Sequence, residues 1–328
     1  MTTSPDWGRA VKLVDGADCV CLACHIRPDA DALGSMLAVA QALHGRGQRV
    51  VASFGDDPFA VPAILRFLPG LEVLSPPVSY PARPELMVSF DASALDRLGT
   101  LAGPATAAGE LIVVDHHASN SGFGSVSLVD PAAAATAVLA AELLGRLGIE
   151  LTRDVAMCLY AGLVTDTGSF RFSSTTPEVH QLAARLLLAG ADPAAVSREL
   201  YDRAPFGYLG MLAGALGRAA LDREAANGLG LVWTTVTRTD RAPADLPLDA
   251  AESVIDVIRR TNEAEVAAVL KEDDAGVWQV SMRSKEFVDV SKAAARLGGG
   301  GHARAAGFSH TGRPDEAIAA LKRILDRA

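Results

Sequence analysis

Residues 18–47 read DCVCLACHIRPDADALGSMLAVAQALHGRG, and this stretch indicates the fold. Its first part, DCVCLACH (18–25), is a short apolar run that predicts a buried strand. From residue 31 onward, apolar residues recur at helical spacing and the run ends in glycines, which predicts a helix. A histidine, a proline and two aspartates stand where the strand gives way to the helix, so polar side chains are expected at the strand's carboxyl end.

The same alternation continues along the first half of the chain. Strand-like runs follow at QRVVASF (48–54), ELMVSFDAS (85–93) and ELIVVDHH (110–117), and residues 132–220 are mainly of helical period. Strands that alternate with helices form right-handed βαβ units and a mostly parallel sheet. The predicted fold class is therefore α/β, with a mostly parallel sheet flanked by helices.

A second, smaller domain is predicted where the hydrophobic period changes, near residue 222. Strand-like runs at 229–237, 263–273 and 276–285 follow, with one helix between the first two. We expect residues 1–200 to form the larger domain, 201–222 a helical linker, and 223–328 a smaller α/β domain.

The composition narrows the functional classes. The chain has 328 residues, is 49% hydrophobic and has a formal net charge of −9. Proteins that bind long duplex nucleic acid usually present a basic face, which this acidic chain does not suggest. An acidic protein can still bind a phosphate ester where metal ions reverse the local sign. No secretory pattern and no apolar run of about 18 residues is seen, so we expect a cytoplasmic protein without a membrane span.

The chain has four cysteines, and three of them fall in DCVCLACHI, at positions 19, 21 and 24. A cysteine-rich zinc site needs about four ligands, usually in two spaced pairs. Cys158 provides no second pair. We therefore predict buried thiols, in a reducing compartment, rather than a zinc site.

Carboxylates and imidazoles gather at the predicted strand ends and on the adjoining helices, where open α/β sheets bind ligands. Crowded carboxylates raise one another's pKa unless a cation lies among them. Oxygen and imidazole ligands without thiolate suit Mn²⁺ or Mg²⁺ better than structural zinc, and there are enough for two ions that share one carboxylate. Two such ions, ~3.5–4 Å apart, can hold the attacking and leaving oxygens of a phosphoryl displacement. The residues are His25, Asp29, Asp31, Asp91, Asp115, His116, His117 and Asp166.

Simpler interpretations exist for each residue taken alone. Asp29 or Asp31 could be a helix N-cap, Asp166 a polar residue near a helix end, and the two histidines part of an ordinary turn. Each interpretation accounts for one or two residues, but none accounts for the whole set.

The second domain contains a predicted phosphate site. Four glycines, 298–301, can present several backbone N–H groups to an anion. An arginine can donate two parallel hydrogen bonds to a phosphate. A flexible glycine linker and a solvated arginine at a strand end are the alternatives. The candidate binding residues are Arg283, Ser284, Gly299, Gly300, Gly301 and His302, with Arg260 and Asn262 as weaker candidates.

Six segments resemble a known family. HIRPDADALGS (25–35), SFDAS (89–93), VVDHHAS (113–119) and GLVTDTGSFRF (162–172) are similar, in this order, to the four motifs of the DHH phosphoesterase superfamily. SMRSK (281–285) and GGGGHARAAG (298–307) resemble its DHH-associated second domain. The resemblance covers essentially the whole chain. The domain layout is similar to that of the NrnA-type oligoribonucleases and pAp phosphatases, some of which also act on cyclic di-AMP.

The resemblance implies roles for individual residues. It implies two Mn²⁺ ions per chain, with Mg²⁺ or Co²⁺ as substitutes, and Asp91 as the bridging ligand. His117 would face the scissile phosphate and Asp115 would orient the site from behind. One ion would be held by His25, Asp29 and Asp91, and the other by Asp31, Asp91, His116 and Asp166.

The expected activity is the hydrolysis of short nucleotides to mononucleotides by a homodimer. Cyclic di-AMP, linear dinucleotides such as pApA, nano-RNA and pAp are the expected substrates, and long duplexes are not. One alternative is a family II inorganic pyrophosphatase or exopolyphosphatase, which would have a different second domain. Another is a catalytically silent nucleotide sensor, which would not need a complete set of metal ligands.

Overall fold

The chain divides into two units, Met1–Arg203 and Ala204–Ala328, in a computed structural model that describes residues 5–326. Each unit has one sheet with helices packed against it. The predicted α/β class is therefore confirmed.

The sheet of the first unit has five strands in the order β2-β1-β3-β4-β5, and every neighbouring pair is parallel. This confirms the predicted parallel sheet. The sequence prediction missed β5, an edge strand of only four residues, because so short a run shows no clear period. The strands are β1 (Cys19–Cys24), β2 (Arg49–Phe54), β3 (Leu86–Phe90), β4 (Glu110–Asp115) and β5 (Val126–Val129).

Helices flank this sheet; α2 lies where a helix was predicted from residue 31 onward, and α4 to α7 lie within 132–220, the stretch predicted to be mainly helical. The prediction missed α1, although Asp6 precedes it as an N-cap whose carboxylate accepts from the Arg9 N–H. A short 3₁₀ segment, Leu95–Leu101, follows β3. The helices are α1 (Trp7–Gly16), α2 (Ala30–Gly45), α3 (Ala102–Ala107), α4 (Thr136–Arg146), α5 (Arg153–Asp166), α6 (Pro177–Leu188) and α7 (Pro193–Tyr201).

The two faces of β1 show why the sheet is apolar throughout. Val20 and Leu22 belong to the core cluster that includes α2, α4 and α5, whereas Cys21 and Ala23 pack with Leu98 on the other face. Both faces are covered, as is usual for parallel sheets. The cysteines of β1 and Cys158 of α5 form no disulfide, and Cys21, Cys24 and Cys158 are buried while Cys19 is partly exposed.

Gly34 allows α2 and α5 to pack closely. A Cβ added at Gly34 would lie 2.5 Å from the backbone oxygen of Cys158 on α5. Since backbone cannot move away as a side chain can, this contact requires glycine.

The second unit has a six-stranded mixed sheet in the order β10-β11-β9-β8-β7-β6. Only the pair β7–β8 is parallel within the described part of this sheet. The predicted smaller α/β domain is thereby confirmed. The strands are β6 (Ala220–Asp222), β7 (Leu231–Val236), β8 (Val266–Glu272), β9 (Trp278–Ser284), β10 (Gly300–His302) and β11 (Ala305–His310).

The expected linker at 201–222 is corrected by the structure. Met211 and Ala215 of α8 are buried with Val232 and Val236 of β7, so this helix is part of the second unit's core. The helix expected between the strand-like runs at 229–237 and 263–273, DAAESVIDVIRR (249–260), is a 3₁₀ turn at Leu248–Ala251 followed by the short α11. The helices are α8 (Gly207–Gly217), α9 (Ala225–Gly228), α10 (Arg238–Arg241), α11 (Val254–Ile258), α12 (Val290–Arg296) and α13 (Pro314–Leu325). None of the helices within residues 5–326 is long and apolar enough to cross a membrane.

Candidate metal centre

The carboxyl ends of β1 and β3 position the centre of the candidate site. These strands are neighbours, with Cys24 beside Phe90, so the next residues, His25 and Asp91, leave the sheet side by side. The chain order of the strands reverses between β1 and β3, because β2 lies on one side of β1 and the later strands lie on the other. Ligands bind at such switch points in open α/β sheets. His116 follows β4 at the same edge.

Asp91 lies between two histidines. Its Oδ2 is 3.5 Å from His25 Nε2, and its Oδ1 is 3.6 Å from His116 Nε2. Each oxygen of this buried carboxylate therefore faces a different imidazole. Such an arrangement can serve two neighbouring cations.

Further carboxylates surround each histidine. On one side, Asp29 Oδ2 is 3.8 Å from His25 Nε2. On the other, Asp31 Oδ2 is 3.9 Å and Asp166 Oδ2 is 3.2 Å from His116 Nε2. The structure thus brings together all six residues that were predicted as metal ligands. Two sets, each with ligand atoms within 4.8 Å of one another, are His25, Asp29 and Asp91, and Asp31, Asp91 and His116.

The orientation of the two histidines fits a metal. His25 Nδ1 is 2.8 Å from the carbonyl oxygen of Ile26, and His116 Nδ1 is 3.2 Å from that of Ala133. A carbonyl only accepts, so Nδ1 of each ring is inferred to carry a proton, and Nε2, which faces the carboxylates, is the nitrogen that a metal could bind in place of a proton. Metal-binding histidines are commonly held in this way. The donor set of carboxylates and imidazoles therefore fits hard or borderline divalent cations.

The pKa values in the cluster show the repulsion between carboxylates that a bound cation would relieve. Burial, with the nearby Asp166 and Asp91 carboxylates, raises the pKa of Asp31 well above its usual range. Burial also raises the pKa of Asp166, to about 6, although the His116 hydrogen bond opposes the shift. Burial lowers the pKa of His25 and His116, but hydrogen bonds that these rings donate to neighbouring carboxylates outweigh it and raise the pKa values to about 10 and about 11. The carboxylates and imidazoles of this cluster therefore share protons, and a divalent cation could take the place of those protons.

Asp29 is the N-cap of α2, so the simpler interpretation of this residue is correct as well, whereas Asp31 lies in the first turn of that helix. Asp29 Oδ1 accepts from the N–H groups of Asp31 and Ala32 at the start of α2, while its Oδ2 faces His25. Asp31 accepts from the N–H groups of Thr136 and Ala137, which begin a different helix, α4. These hydrogen bonds fix the orientation of each carboxylate, and they are compatible with metal binding.

The second histidine of the pair, His117, has different partners from His116. Its Nδ1 is 2.6 Å from Asp115 Oδ1, and the other oxygen of Asp115 accepts from Asn120 Nδ2 at 2.6 Å. Burial lowers the pKa of His117, but the Asp115 hydrogen bond and the nearby Asp91 charge outweigh it and raise the value. Asp115 therefore contacts His117, at the position where the resemblance implied an orienting carboxylate.

Unusual backbone occurs at two places in this site. Asp91 has φ 58°, and Gly168, Ser169 and Phe170, which follow Asp166, have φ 56°, 59° and 62°. Left-handed conformation costs a residue with a Cβ roughly 1–2 kcal/mol. The Thr167 hydroxyl accepts from the Phe170 N–H at 3.1 Å and supports this turn. Such strain often marks functional sites.

In the second unit, the predicted binding residues of β9 divide between two faces. Arg283 is opposite Ala305, which is opposite His302, so Arg283 and His302 share one face of the sheet. Ser284 points to the other face, where it is buried and its hydroxyl donates to the Ala303 oxygen. The expectation that Ser284 acts beside Arg283 is corrected, because neighbouring residues of a strand alternate.

The glycine run also differs from the expectation. The N–H groups of Gly298 and Gly299 donate to Ala295 and Ala294 and close the end of α12, so these two N–H groups already have acceptors. Gly300 and Gly301 lie on the edge strand β10. The weaker candidates, Arg260 and Asn262, are exposed between α11 and β8.

Three residues near the first unit's centre were missed from the sequence. Thr136 donates its hydroxyl to Asp91 Oδ1 at 2.7 Å, Asn120 supports Asp115, and Arg97 places Nη2 3.4 Å from His25 Nδ1. Asn120 had a signal, since an asparagine three residues after a histidine pair in a loop is well placed to bond backward. Thr136 had none, because it stands in an alanine-rich helix.

Comparison with known sequences matches both units. The profile of the DHH family, N-terminal domain, matches residues 19–163, and that of the DHHA1 domain matches residues 235–328. The bifunctional oligoribonuclease and PAP phosphatase NrnA of Thermus thermophilus is 34% identical, over 96% of this chain and 90% of that protein. The protein of the same description from Bacillus subtilis is 26% identical, over 58% of this chain and 60% of that one.

A solved structure supports the fold. The crystal structure of an exopolyphosphatase-related protein from Bacteroides fragilis superposes with a TM-score of 0.86 and 23% identity, covering 98% of this chain and 95% of that one. At this identity the likeness concerns the fold alone. With the two domain matches and the NrnA relative, the conclusion is that the chain belongs to the DHH family of phosphoesterases and carries a DHHA1 domain.

Proposed function

We propose that this protein hydrolyses short nucleotides with two divalent cations, Mn²⁺ being preferred. The carrying observation is the Asp91 carboxylate, whose two oxygens lie 3.5 and 3.6 Å from the Nε2 atoms of His25 and His116. Relatives named as oligoribonucleases and PAP phosphatases support short RNA and pAp as substrates. Linear dinucleotides and cyclic di-AMP belong to the same proposal, because they contain the same kind of phosphodiester as short RNA.

Two sets of side chains would hold the cations; Asp29 is exposed and Asp166 half-buried, and the other ligands are buried. His25, Asp29 and Asp91 form one ligand set, and Asp31, Asp91, His116 and Asp166 form the other. When bound, the cations polarise the phosphoryl oxygens and lower the pKa of the attacking water. Asp91 belongs to both sets, so its carboxylate ties their positions together.

His117 is assigned to the substrate. Asp115 Oδ1 is 2.6 Å from its Nδ1, and Asn120 donates to the other oxygen of Asp115. We assign the opposite ring nitrogen, Nε2, to the scissile phosphate or the leaving oxygen. The Asp115 hydrogen bond raises the pKa of His117 and so favours the protonated ring, whose Nε2 could donate a proton to the leaving oxygen. Asp115 stabilises this charged ring.

Arg283 and His302 are assigned to substrate binding in the second unit. They share one face of the sheet, and the small Ala305 lies between them. Arg283 would bind a phosphate other than the reacting one. The homodimer is part of the same proposal, and sedimentation velocity of the purified protein tests it.

One substrate panel tests the activity. Metal-free protein would be prepared by chelation and then given Mn²⁺, Mg²⁺ or Co²⁺ with pApA, cyclic di-AMP, pAp and RNA of two to twenty nucleotides. We expect turnover of the short nucleotides, highest with Mn²⁺, and none without metal. Turnover of pyrophosphate or polyphosphate alone would overturn the proposal in favour of a pyrophosphatase. Binding without turnover of any substrate would overturn it in favour of a sensor.

A further inference from the structure

Residues 133–137, with the sequence AAATA, contact three members of one ligand set. The Ala133 oxygen is 3.2 Å from His116 Nδ1, and the Ala137 N–H donates to Asp31 Oδ1 at 2.9 Å. Thr136 contacts both Asp31 and Asp91. This alanine-rich stretch at the start of α4 therefore frames one side of the metal centre.

Thr136 makes the contacts that a substitution can test. Its N–H donates to Asp31 Oδ2 at 2.6 Å, and its hydroxyl donates to Asp91 Oδ1 at 2.7 Å. The side chain is fully buried. Hydrogen bonds to a charged acceptor are stronger than neutral ones, and burial strengthens them further. One residue thus holds two carboxylates that belong to the proposed ligand sets.

We propose that Thr136 is a positioning residue that fixes the Asp91 carboxylate and thereby sets the affinity of the centre for divalent cations. This inference rests on the proposed function, since it takes Asp91 as the shared ligand. Without the hydroxyl, the carboxylate is free to rotate about its terminal bond, and ordering it on metal binding costs conformational entropy. The backbone contacts to Asp31 survive any substitution except proline, so a change of side chain tests the hydroxyl alone.

The test compares Mn²⁺ binding by four variants and wild type. Thr136→Val and Thr136→Ala delete the hydroxyl, and Thr136→Ser retains it. Thr234→Val is the matched control, because Thr234 is also buried but donates its hydroxyl to the Ala215 oxygen in the second unit. Calorimetry gives affinity and stoichiometry, circular dichroism shows which variants fold, and no substrate is needed.

We expect Thr136→Val and Thr136→Ala to weaken Mn²⁺ binding by about 10–100-fold, the usual effect of losing a contact behind a metal ligand. Thr136→Ser should bind within about threefold of wild type, and Thr234→Val should match it. Wild-type affinity in a folded Thr136→Val or Thr136→Ala protein would overturn the inference. If both of these fail to fold while Thr136→Ser folds, the residue is needed for folding and the inference fails as well.

The two proposals fail separately. Wild-type protein that binds two Mn²⁺ but hydrolyses no short nucleotide would refute the proposed function and leave the role of Thr136 standing. Normal hydrolysis together with unchanged Mn²⁺ affinity in Thr136→Val would refute only the role of Thr136.

Discussion

The central carboxylates of the first unit and the proposed binding residues of the second differ in burial and in their hydrogen-bond partners. In the first unit, Asp31 and Asp115 are fully buried and Asp91 is 3% exposed, and their oxygens accept hydrogen bonds from named partners. In the second unit, Arg283 and His302 are half-buried, and Arg260 is exposed. A buried carboxylate is tolerated only with partners or a cation, whereas exposed side chains can adjust. Substitutions should therefore be severe in the first unit and moderate in the second.

The largest effect is expected at Asp91. Asp91→Asn keeps the size of the side chain but removes one charge from both ligand sets. Metal ions contribute several kcal/mol of transition-state stabilisation, so we expect a loss of at least about 10³-fold in kcat. Metal content and turnover would be compared with those of Asp29→Ala, which touches one set only. A variant that keeps two tight Mn²⁺ ions would show that Asp91 is not shared.

A glycine that touches no substrate should be the next most sensitive position. A Cβ at Gly162 would lie 2.6 Å from Asp31 Oδ1 and 2.9 Å from Asp31 Cα. Gly162→Ala should shift Asp31, destabilise the fold by about 1–3 kcal/mol through overpacking, and reduce Mn²⁺ affinity by about 10–100-fold. Thermal unfolding measures the change in stability, and calorimetry measures the change in Mn²⁺ affinity.

Gly145→Ala is the control for Gly162→Ala. Gly145 lies in α4, and an added Cβ there meets nothing within 4 Å. Its replacement should stabilise the protein by up to about 1 kcal/mol and leave Mn²⁺ binding unchanged. Equal behaviour of the two variants would contradict the close approach of α5 to Asp31.

A moderate effect is expected at Arg283 in the second unit. Losing a charge-assisted hydrogen bond costs about 1.5–3 kcal/mol, so Arg283→Ala should lower kcat/KM by roughly ten- to a hundredfold with Mn²⁺ still bound. The measurement is a series of RNAs from two to twenty nucleotides, in which wild type should prefer two or three nucleotides over ten or more. Arg223→Ala, at an exposed arginine paired with Glu263, is the control and should match wild type. Equal rates at all lengths for wild type, Arg283→Ala and Arg223→Ala would contradict the binding role proposed for the sheet face that carries Arg283 and His302.

The smallest effect is expected for the thiols of the first unit's core, which have no part in the proposed reaction. Burial raises the pKa of Cys21 and of Cys158 to about 12, and Cys24 is fully buried. A disulfide reagent at pH 8 should therefore modify Cys19 first, and the other three at least about a hundredfold more slowly, since thiolate is the reactive form. Mapping the modified residues by mass spectrometry checks the order. Rapid modification of all four in folded protein would contradict the buried sheet.

The sequence alone located the strands whose ends form the site, because polar residues follow short apolar runs there. Residue type and position pointed to eight polar residues at these strand ends, and the family resemblance then implied which six of them would bind metal. The sequence did not reveal which way side chains of the second unit point. Ser284 follows Arg283 directly and was assigned with it, but a strand that is buried on one face sends the two side chains to opposite sides.

What the sequence by itself determined is the α/β class, the domain order and the chemical identity of the cluster, since periodicity and residue type are local properties. Only the tertiary structure decided how the carboxylates are held. The Thr136 hydroxyl reaches Asp91 across 45 positions of sequence, and its N–H reaches Asp31 across 105. These contacts exist because β1 and β3 pair and α4 begins beside them, and no local pattern encodes that neighbourhood. The orientation of a buried charge depends on such distant donors, so it follows from the packed fold rather than from the motif.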